Sequence, residues 1–267
     1  MAAEWERVWW RGKDRTDKSH QNSWRIYRGC LSTLPEGAID LDGLINWIEQ
    51  RSQPGKRHRG HYCTCARGIA KLAGLPLEQI QDLDGGYGFK PINPRDLPSD
   101  EAIANVRMQI DDPGWQYIYG LMAAYGLRNH EVWFLDLLDF PLVRVREGTK
   151  TGARAIEPLY PEWAIEWRLD LVVMPSRAVL NPESSNESLG SKVSRFFCRN
   201  GIFTPYTLRH CYARRCAEFG IPPNIAARLM GHSTKIHEVV YQSWIGEKVF
   251  LDVARRATEN PDRPKPP

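Results

Sequence analysis

The stretch that decides the fold is residues 204–241, TPYTLRHCYARRCAEFGIPPNIAARLMGHSTKIHEVVY. Thr204 before Pro205 is typical of a helix start, because a threonine hydroxyl caps the first turn and proline has no N–H to leave unpaired there. Gly220, which is followed by prolines, is typical of a helix end. The pattern therefore predicts a helix over residues 206–219.

The rest of this stretch predicts two further helices and a group of polar residues between them. At about 100° per residue, Tyr206, Arg209 and His210 should share one face of the first helix. A second short helix ends at a glycine directly before His232, and a third helix carries Tyr241 nine residues later. Such a polar face favours a ligand site. The opposite, apolar face holds Leu208, Cys211, Tyr212 and Phe219.

Four short motifs, in a fixed order, resemble those of the tyrosine recombinases. L-R-H, then L-M-G-H-S, then a tyrosine nine residues past that histidine are similar to the family's carboxy-terminal signature. Upstream, residues 125–131 (YGLRNHE) are similar to its G-L-R-x-x-E box, and residues 149–152 (TKTG) to its mobile hairpin lysine. Each motif is weak by itself, whereas the ordered set covers roughly the last 165 residues. Within the family, the wording YGLRNHEV and PYTLRHCYA is most similar to the cyanobacterial excision-type integrases.

The resemblance implies a set of catalytic roles. Arg128 and Arg209 would clamp the scissile phosphate of DNA with paired guanidinium hydrogen bonds, and His232 would add a third donor. Tyr241 would be the nucleophile that forms a covalent 3′-phosphotyrosine, and Lys150 would give a proton to the leaving 5′ oxygen. Because the covalent intermediate keeps the energy of the broken bond, the reaction needs neither a cofactor nor a metal.

One residue departs from the family pattern. The family has histidine three residues before the second arginine, and this chain has Tyr206 there. A phenol can hydrogen-bond a phosphate but is a poor base at neutral pH. Our hypothesis is that Tyr206 keeps a positioning role and that His210 or His232 handles the proton. The resemblance also assigns Glu131 a supporting role beside Arg128.

The same residues are compatible with other roles. An isolated tyrosine beside two valines is more often part of a core than a catalyst, and buried histidines and arginines are commonly paired groups of the fold. A DNA-binding regulator that has lost catalysis could use the same fold, and a type IB topoisomerase uses related chemistry. The complete set of motif residues favours a site-specific recombinase that integrates or excises a mobile element. It would bind double-stranded DNA with a specific recombination site and assemble on that DNA as a homotetramer. An accessory directionality factor would be a further partner.

Composition is typical of a globular protein with a mildly basic surface. The chain of 267 residues is 42% hydrophobic and 25% charged, and it has no run of 18 apolar residues that would span a membrane. A net charge of +4 and a pI near 8.7 permit a phosphate-rich partner without proving one. The amino terminus lacks the pattern of a secretory signal, so we expect a cytoplasmic, nucleoid-associated protein.

The six cysteines are scattered and predict reduced thiols rather than a disulfide framework. His58, His61 and Cys65 have the spacing of one helix face, which raises the question of a metal site. Structural zinc sites usually pair such a motif with a second one, and the chain offers no good second pair. Ordinary packing is therefore favoured over metal binding.

The predicted fold is mainly α with a small β-sheet or hairpin, in two domains. Residues 1–93 would form a helical DNA core-binding domain with an N-terminal extension, residues 94–257 the catalytic domain, and residues 258–267 a disordered tail. The boundary lies in a cluster of glycines and prolines at residues 85–98. Residues 1–34 show no clear periodicity and receive no assignment.

A helix with a basic amino end follows a Pro-Gly break. Its basic side chains could lie along DNA phosphates, each contact adding to a salt-dependent affinity. The alternative is an ordinary solvated face. The position of a helical DNA-binding domain in the family favours DNA contact through Lys56, Arg57, Arg59, Arg67 and Lys71.

Helical spacing predicts further helices outside the motifs. One lies within residues 35–53, where apolar residues from 39 to 48 recur at helical spacing, with Asp40 or Asp42 as its cap. Another starts at Ser99, and the next runs over residues 114–125, where a glycine ends it.

The remaining segments predict one hairpin, one loop and one last helix. Residues 142–146 alternate apolar and basic side chains and can pair with residues 153–159 across a turn-rich connection. Residues 184–191 (SSNESLGS) are predicted to be a polar loop before a helix at residues 193–197. Residues 247–257 have helical spacing, and in relatives a comparable helix docks into a neighbouring protomer. The sequence does not decide between docking within one chain and docking between chains.

Overall fold

The protein is mainly helical, with one small antiparallel sheet, and it divides into two compact units, Met1–Phe89 and Lys90–Pro267. The predicted fold class is confirmed. Among the residues described, no helix combines the length and the apolar character that a bilayer crossing requires. The computed structural model describes residues 1–37, 39–85, 97–149, 152–175, 184–241 and 247–265.

The first unit packs its helices around aromatic side chains. The rings of Trp5 and Trp24 lie 5.6 Å apart, those of Trp47 and Tyr62 lie 5.0 Å apart, and all four side chains are buried. Side chains of this size supply a large share of the hydrophobic stabilisation of a small domain. The helices are α1 (Ala2–Trp9), α2 (Lys18–Leu31), α3 (Leu41–Arg51), α4 (Arg57–Ala73) and α5 (Glu78–Gln81).

The segment that received no assignment from the sequence forms α1 and α2. In α1 the buried residue is Trp5, and the helix is only eight residues long. The start of α2 is defined by Asp17, whose carboxylate accepts hydrogen bonds from the main-chain N–H groups of Ser19 (2.6 Å) and His20 (3.3 Å). By contrast, the predicted helix within residues 35–53 is confirmed as α3, and Asp40 is its cap.

Two helices open the second unit, α6 (Asp100–Met108) and α7 (Pro113–Tyr125). The Ser99 hydroxyl caps α6 as predicted, by accepting a hydrogen bond from a main-chain N–H at 3.1 Å. The helix α7 is buried along almost its whole length and ends at Gly126, which has a φ of +61°. This left-handed residue turns the chain sharply, so that Arg128 follows at the end of a rigid helix.

The sheet consists of β1 (Leu135–Asp139), β2 (Leu142–Val145) and β3 (Arg154–Ile156), in that order. The predicted hairpin between β2 and β3 is confirmed, and its register pairs Val145 with Arg154. The strand β1 was not predicted. Its sequence, LDLLD, contains acidic residues that are uncommon in strands.

The polar segment at residues 184–191 is only partly a loop, so that prediction is wrong in its second part. The hydroxyl of Ser185 caps a helix that already begins at Asn186, accepting a hydrogen bond from the N–H of Ser188 at 3.2 Å. The helix is long because Leu189 supplies a buried side chain one turn earlier than the predicted start. The remaining helices are α8 (Pro161–Glu166), α9 (Asn186–Arg199), α10 (Pro205–Glu218), α11 (Pro223–Met230), α12 (Thr234–Tyr241) and α13 (Glu247–Glu259).

The last helix, α13, packs against α10 of the same chain. Arg256 donates a hydrogen bond to the main-chain oxygen of Glu218 at 3.3 Å, and Val253 lies beside Gly220. The helix ends at Glu259, so its last two residues fall within the predicted tail.

We expect Gly126→Ala to destabilise the second unit more than Gly201→Ala. The two glycines have nearly equal φ values of +61° and +62°, so both substitutions incur the strain of a left-handed alanine, roughly 1 kcal/mol. A Cβ at Gly126 would also lie 2.5 Å from Cγ of Tyr212, whereas one at Gly201 would meet nothing within 4 Å. Overpacking should lower the free energy of unfolding of the first variant by about 1–3 kcal/mol more. Urea denaturation of both variants measures the difference, and equal values would contradict the packing at this turn.

Candidate active site

A single buried carboxylate holds two of the arginines of the second unit. The side chain of Glu131 is fully buried in a short 3-10 turn after α7. Its two oxygens accept from the Arg128 guanidinium (2.7 Å) and main-chain N–H (2.8 Å), and from both terminal nitrogens of Arg154 (2.9 and 2.7 Å). The paired, charge-assisted bonds fix the plane of the Arg154 guanidinium, and the bond from the Arg128 guanidinium holds it beside the same carboxylate.

The same contacts keep Glu131 ionised. Burial of the carboxylate opposes ionisation, but the hydrogen bonds and charge of Arg154 and the charge of Arg128 outweigh it and lower the pKa of Glu131 to about 2. Since the ordinary value is 4.5, this network contributes stability that is complete above that pH and is lost as the pH falls towards 2.

The carboxyl end of α11 is capped by three arginine side chains. The last carbonyl groups of a helix have no partner within the helix and carry partial negative charge, so cations stabilise them. The main-chain oxygens of three consecutive residues at this end accept from three different arginines. The oxygen of Leu229 accepts from Arg154 (2.9 Å), that of Met230 from Arg209, and that of Gly231 from Arg128 (2.6 Å). The loop that follows, and with it His232, is thereby tied to all three guanidinium groups.

Gly231 is required at this junction for two reasons. Its φ of +64° is the left-handed conformation that ends α11, and a Cβ at this position would lie 2.8 Å from Cζ of Arg154. The glycine of the L-M-G-H-S motif therefore makes room for Arg154 immediately before His232.

Arg209 is buried, which corrects the predicted polar face of α10. It is 2% exposed and donates to the main-chain oxygen of Gly126 at 2.7 Å, whereas Tyr206 is 50% exposed and His210 is half-buried. The helix α10 packs against α7 and α11, and the boundary with solvent passes between Tyr206 and Arg209. Tyr206 and His210 do lie side by side, with ring centroids 6.0 Å apart.

Two histidines form a hydrogen-bonded pair beside Arg209. Nε2 of His232 lies 3.0 Å from Nδ1 of His237, which is a buried residue of α12 that the sequence did not single out. Burial, together with the charge of Arg209, lowers the pKa of His232 to about 3 and that of His237 to about 4. The same causes lower the pKa of His210 to about 4. All three imidazoles are therefore neutral at pH 7.

The side chains of two predicted catalytic residues lie outside the described part of the structure. Lys150 lies outside the described residues, although the strands that flank its turn, β2 and β3, are described. Tyr241 is the last residue of α12, and its side chain lies outside the described part of the structure. Arg128, Glu131, Arg209 and His232 are brought together.

Arg154 belongs to this site and was missed in the sequence. It follows the hairpin lysine by four residues and resembles an ordinary basic residue at the start of a strand. Its partner Glu131 is 23 residues away in the chain, so no local pattern could predict the pair.

The basic residues predicted to contact DNA divide into two groups. Lys56, directly before α4, and Arg57 and Lys71 within it are exposed, and Arg67 is partly exposed with an ion pair to Asp84 at 3.1 Å. Arg59 is 5% exposed, and its guanidinium donates to the main-chain oxygens of Ser52 (3.1 Å) and Leu83. The prediction of a DNA contact is therefore wrong for Arg59, because its hydrogen bonds hold the first unit together.

The described residues include all six cysteines and both histidines that were considered for a metal site. All six cysteines are free thiols, and Cys63 and Cys65 are buried, while His58 is exposed. No group of three or more His, Cys, Asp or Glu side chains within the described ranges is arranged to hold a metal ion.

Several solved structures are similar to this chain in fold. The chain matches the Tn1549 transposon integrase in complex with a circular intermediate DNA, with a TM-score of 0.59 at 14% identity over 97% of this chain and 99% of that one. XerH recombinase bound to a palindromic difH substrate gives 0.59 at 14% identity, over 97% and 85% of the two chains. A lambda integrase dimer bound to a COC′ core site gives 0.57 at 14% identity, over 99% and 96%. The protein has the fold of the tyrosine recombinases.

Sequence comparisons narrow the resemblance to one branch. Residues 1–84 match the family model described as XisA/XisC excisase second domain. The chain is 28% identical to Excisase A of Nostoc sp. strain PCC 7120 over 264 residues, which is 86% of this chain and 55% of that protein. It is 32% identical to Excisase C of the same strain over 157 residues, 52% of this chain and 32% of that protein. The chain thus spans about half the length of Excisase A. The predicted resemblance to tyrosine recombinases, and among them to cyanobacterial excision-type proteins, is confirmed.

We expect Arg154→Gln to lower the free energy of unfolding by about 3 kcal/mol, since it removes one partner of a buried ion network. The matched control is Arg146→Gln, which removes an exposed pair with Asp136 that has the same 2.7 Å separation and should cost less than about 1 kcal/mol. Urea denaturation at pH 7 compares the two.

The pH dependence of the same measurement identifies the partner. Because Glu131 loses its charge as the pH falls towards 2, the gap between the native protein and Arg154→Gln should narrow in acid. A gap that stays constant from pH 7 down to the acid transition would mean that Arg154 stabilises the fold without Glu131.

Proposed function

We propose that this chain is a site-specific DNA recombinase that cleaves and rejoins DNA strands through a 3′-phosphotyrosyl intermediate and so excises or integrates a mobile element. The observation that carries the proposal is the arginine cluster around Glu131 and the end of α11. The recombinase fold and the similarity to two excisases support the same conclusion.

The cluster suits the chemistry of a phosphodiester. In-line attack on phosphorus places growing charge on the nonbridging oxygens, and donors that are already in position stabilise it most. Arg128 and Arg209 are each held by hydrogen bonds to main-chain oxygens, and Arg128 also by Glu131. These guanidinium groups need little reorganisation when the phosphate binds. His232 follows directly after the carbonyl group that Arg128 holds.

Tyr241 would attack the phosphorus, and Lys150 would protonate the leaving 5′ oxygen. Both roles come from the motif resemblance. The fold supports the first one, because α12, which ends at Tyr241, packs against α11, whose end the arginines cap. The register supports the second one, since β3 starts four residues after Lys150 with Arg154, which belongs to the cluster.

The partner would be double-stranded DNA, bound by a homotetramer. Paired strand exchange between two sites needs four nucleophiles, and the DNA-bound forms of the similar integrases support DNA as the partner. The exposed basic residues Lys56, directly before α4, and Arg57 and Lys71, within it, would contact phosphates on one side of the site. An accessory directionality factor remains an expectation from the resemblance.

A nicked suicide substrate tests the catalytic proposal. DNA that carries the repeats flanking the gene should give a denaturation-resistant adduct with the native protein and none with Tyr241→Phe. Arg209→Lys should reduce adduct formation by at least about 100-fold, because a lysine cannot replace a buried bidentate donor. Arg195→Lys, an exposed residue of α9, is the matched control. Thermal unfolding and DNA binding of each variant separate lost chemistry from lost folding.

Two outcomes of that experiment would overturn the proposal. Specific DNA binding without an adduct would favour a regulator that has lost catalysis. An adduct at unrelated sequences, accompanied by relaxation of supercoiled DNA, would favour an activity of the topoisomerase type.

Salt dependence tests the DNA surface of the first unit. Each phosphate contact removed should lower the slope of log K against log salt by about 1, so Arg57→Gln and Lys71→Gln should each reduce it by that amount. Arg7→Gln, on the exposed face of α1, is the control and should leave the slope unchanged. Fluorescence anisotropy between 50 and 200 mM salt, roughly the range in which such slopes are large, measures it. Equal slopes for all three variants would place the DNA elsewhere.

A further inference from the structure

The pair formed by His232 and His237 connects the loop after α11 to α12. The two ring nitrogens are 3.0 Å apart and the ring centroids 5.2 Å, with the planes at 61°. His232 lies in the loop two residues before α12 and His237 in the first turns of that helix, so the contact ties the loop to the start of the helix. In a hydrogen bond at this distance one of the two nitrogens donates and the other accepts, so the tautomers of the two imidazoles are linked.

The position of His237 in the chain points towards the proposed nucleophile. Tyr241 follows His237 by four residues within α12, which is one helical turn, and residues four apart are neighbours on a helix surface. His232, by contrast, precedes α12. The pair therefore reaches from the arginine-capped loop to the turn of α12 next to Tyr241.

The place where the family keeps its histidine does not supply a base in this chain. Tyr206 stands there, half exposed, and its closest described aromatic partner is His210 on the same helix. A group that can accept a proton has to come from elsewhere. The buried His237 is the histidine nearest to Tyr241 along α12.

The surroundings keep both imidazoles of the pair neutral at pH 7, so that each has a ring nitrogen free of a proton. Burial lowers the pKa of both histidines, the charge of Arg209 from α10 lowers it further, and Arg128 and Arg154 act on His232 as well. When an anionic phosphodiester binds between these cations, it offsets their field and raises the proton affinity of both imidazoles. The binding of the substrate would thus make both imidazoles better proton acceptors.

We propose that His232 and His237 act as one hydrogen-bonded pair in which His237 accepts the phenolic proton of Tyr241 during strand cleavage and returns it during rejoining. This inference rests on the proposed function, since it assigns a base to the same reaction.

The step balances with the groups already named. The Tyr241 oxygen forms a bond to phosphorus while the bond from phosphorus to the 5′ oxygen breaks, and the leaving oxygen takes a proton from Lys150. The phenolic proton passes to Nε2 of His237. This requires that Nδ1–H of His237 donates to Nε2 of His232, whose remaining proton then lies on Nδ1. The imidazolium that forms shares its Nδ1 proton with His232 in a charge-assisted bond.

The pH profile of cleavage by the full-length chain tests the proposal. Single-turnover rates on the suicide substrate are measured for the native protein, His237→Asn, His210→Gln and Glu238→Gln. Asparagine keeps an N–H where Nδ1 of His237 lies but cannot take up a proton, so His237→Asn should cleave at least about 100-fold more slowly at neutral pH. It should also lose the acid limb of the profile. Glu238→Gln, the exposed neighbour in α12, should keep rate and profile.

A more acidic phenol provides a second readout. Trifluorotyrosine at position 241 has a more acidic phenol that loses its proton to water near neutral pH. It should therefore restore most of the neutral-pH rate of His237→Asn, and in the otherwise native protein it should move the acid limb of the profile to the pKa of the fluorinated phenol. It should not restore Arg209→Lys, which lacks a phosphate donor.

Several results would overturn the pair. A native rate and profile in His237→Asn would reduce His237 to a structural partner of His232, and loss of the acid limb in His210→Gln would move the base to α10. Should His237→Asn fail to fold, an unchanged pH profile of the trifluorotyrosine protein would refute the proposal by itself. Absence of any adduct with the native protein would instead refute the proposed function.

Discussion

The ion network of Glu131 is the constraint on which the second unit depends. A fully buried carboxylate can stay ionised only if cations and hydrogen bonds replace the water it has lost, and Arg128 and Arg154 do this with short paired contacts. Since each guanidinium also binds a carbonyl oxygen at the end of α11, one carboxylate fixes the turn after α7, the strand β3 and the loop before His232.

The buried ion network contributes more to the positions of the arginine side chains than to the stability of the fold. Buried ion networks seldom stabilise a protein more than well-packed apolar side chains would, and removing one member leaves an uncompensated charge. The gain is geometric, because three arginines that cap one helix end cannot drift apart when a phosphate arrives. Burial first, and then the charge of these arginines, lowers the pKa of His232, and burial with the charge of Arg209 lowers that of His237, so both imidazoles are neutral. A site for an anion and a set of proton acceptors therefore arise from the same charges.

The motif residues were predictable because each lies next to a strong local signal. Arg128 and Glu131 follow the glycine that ends α7, and His232 follows the glycine that ends α11. Arg154 and His237 carry no such signal, because their partners are 23 and five residues away on other elements. The burial of Arg59 was missed for the same reason. Its two carbonyl acceptors belong to segments that only the folded first unit brings together.

By itself the sequence determined the class of the fold, most helix starts and ends, and the order of the motif residues, because caps, glycines and periodic apolar positions act over a few neighbouring residues. The tertiary structure alone decided that Arg209 lies inside and Tyr206 outside, that Arg154 shares the carboxylate of Glu131, and that His237 meets His232. Those outcomes depend on how helices and strands pack, because burial and charge pairing act through space and not along the chain, whether the partners are 23 residues apart, as Arg154 and Glu131 are, or five, as the two histidines are.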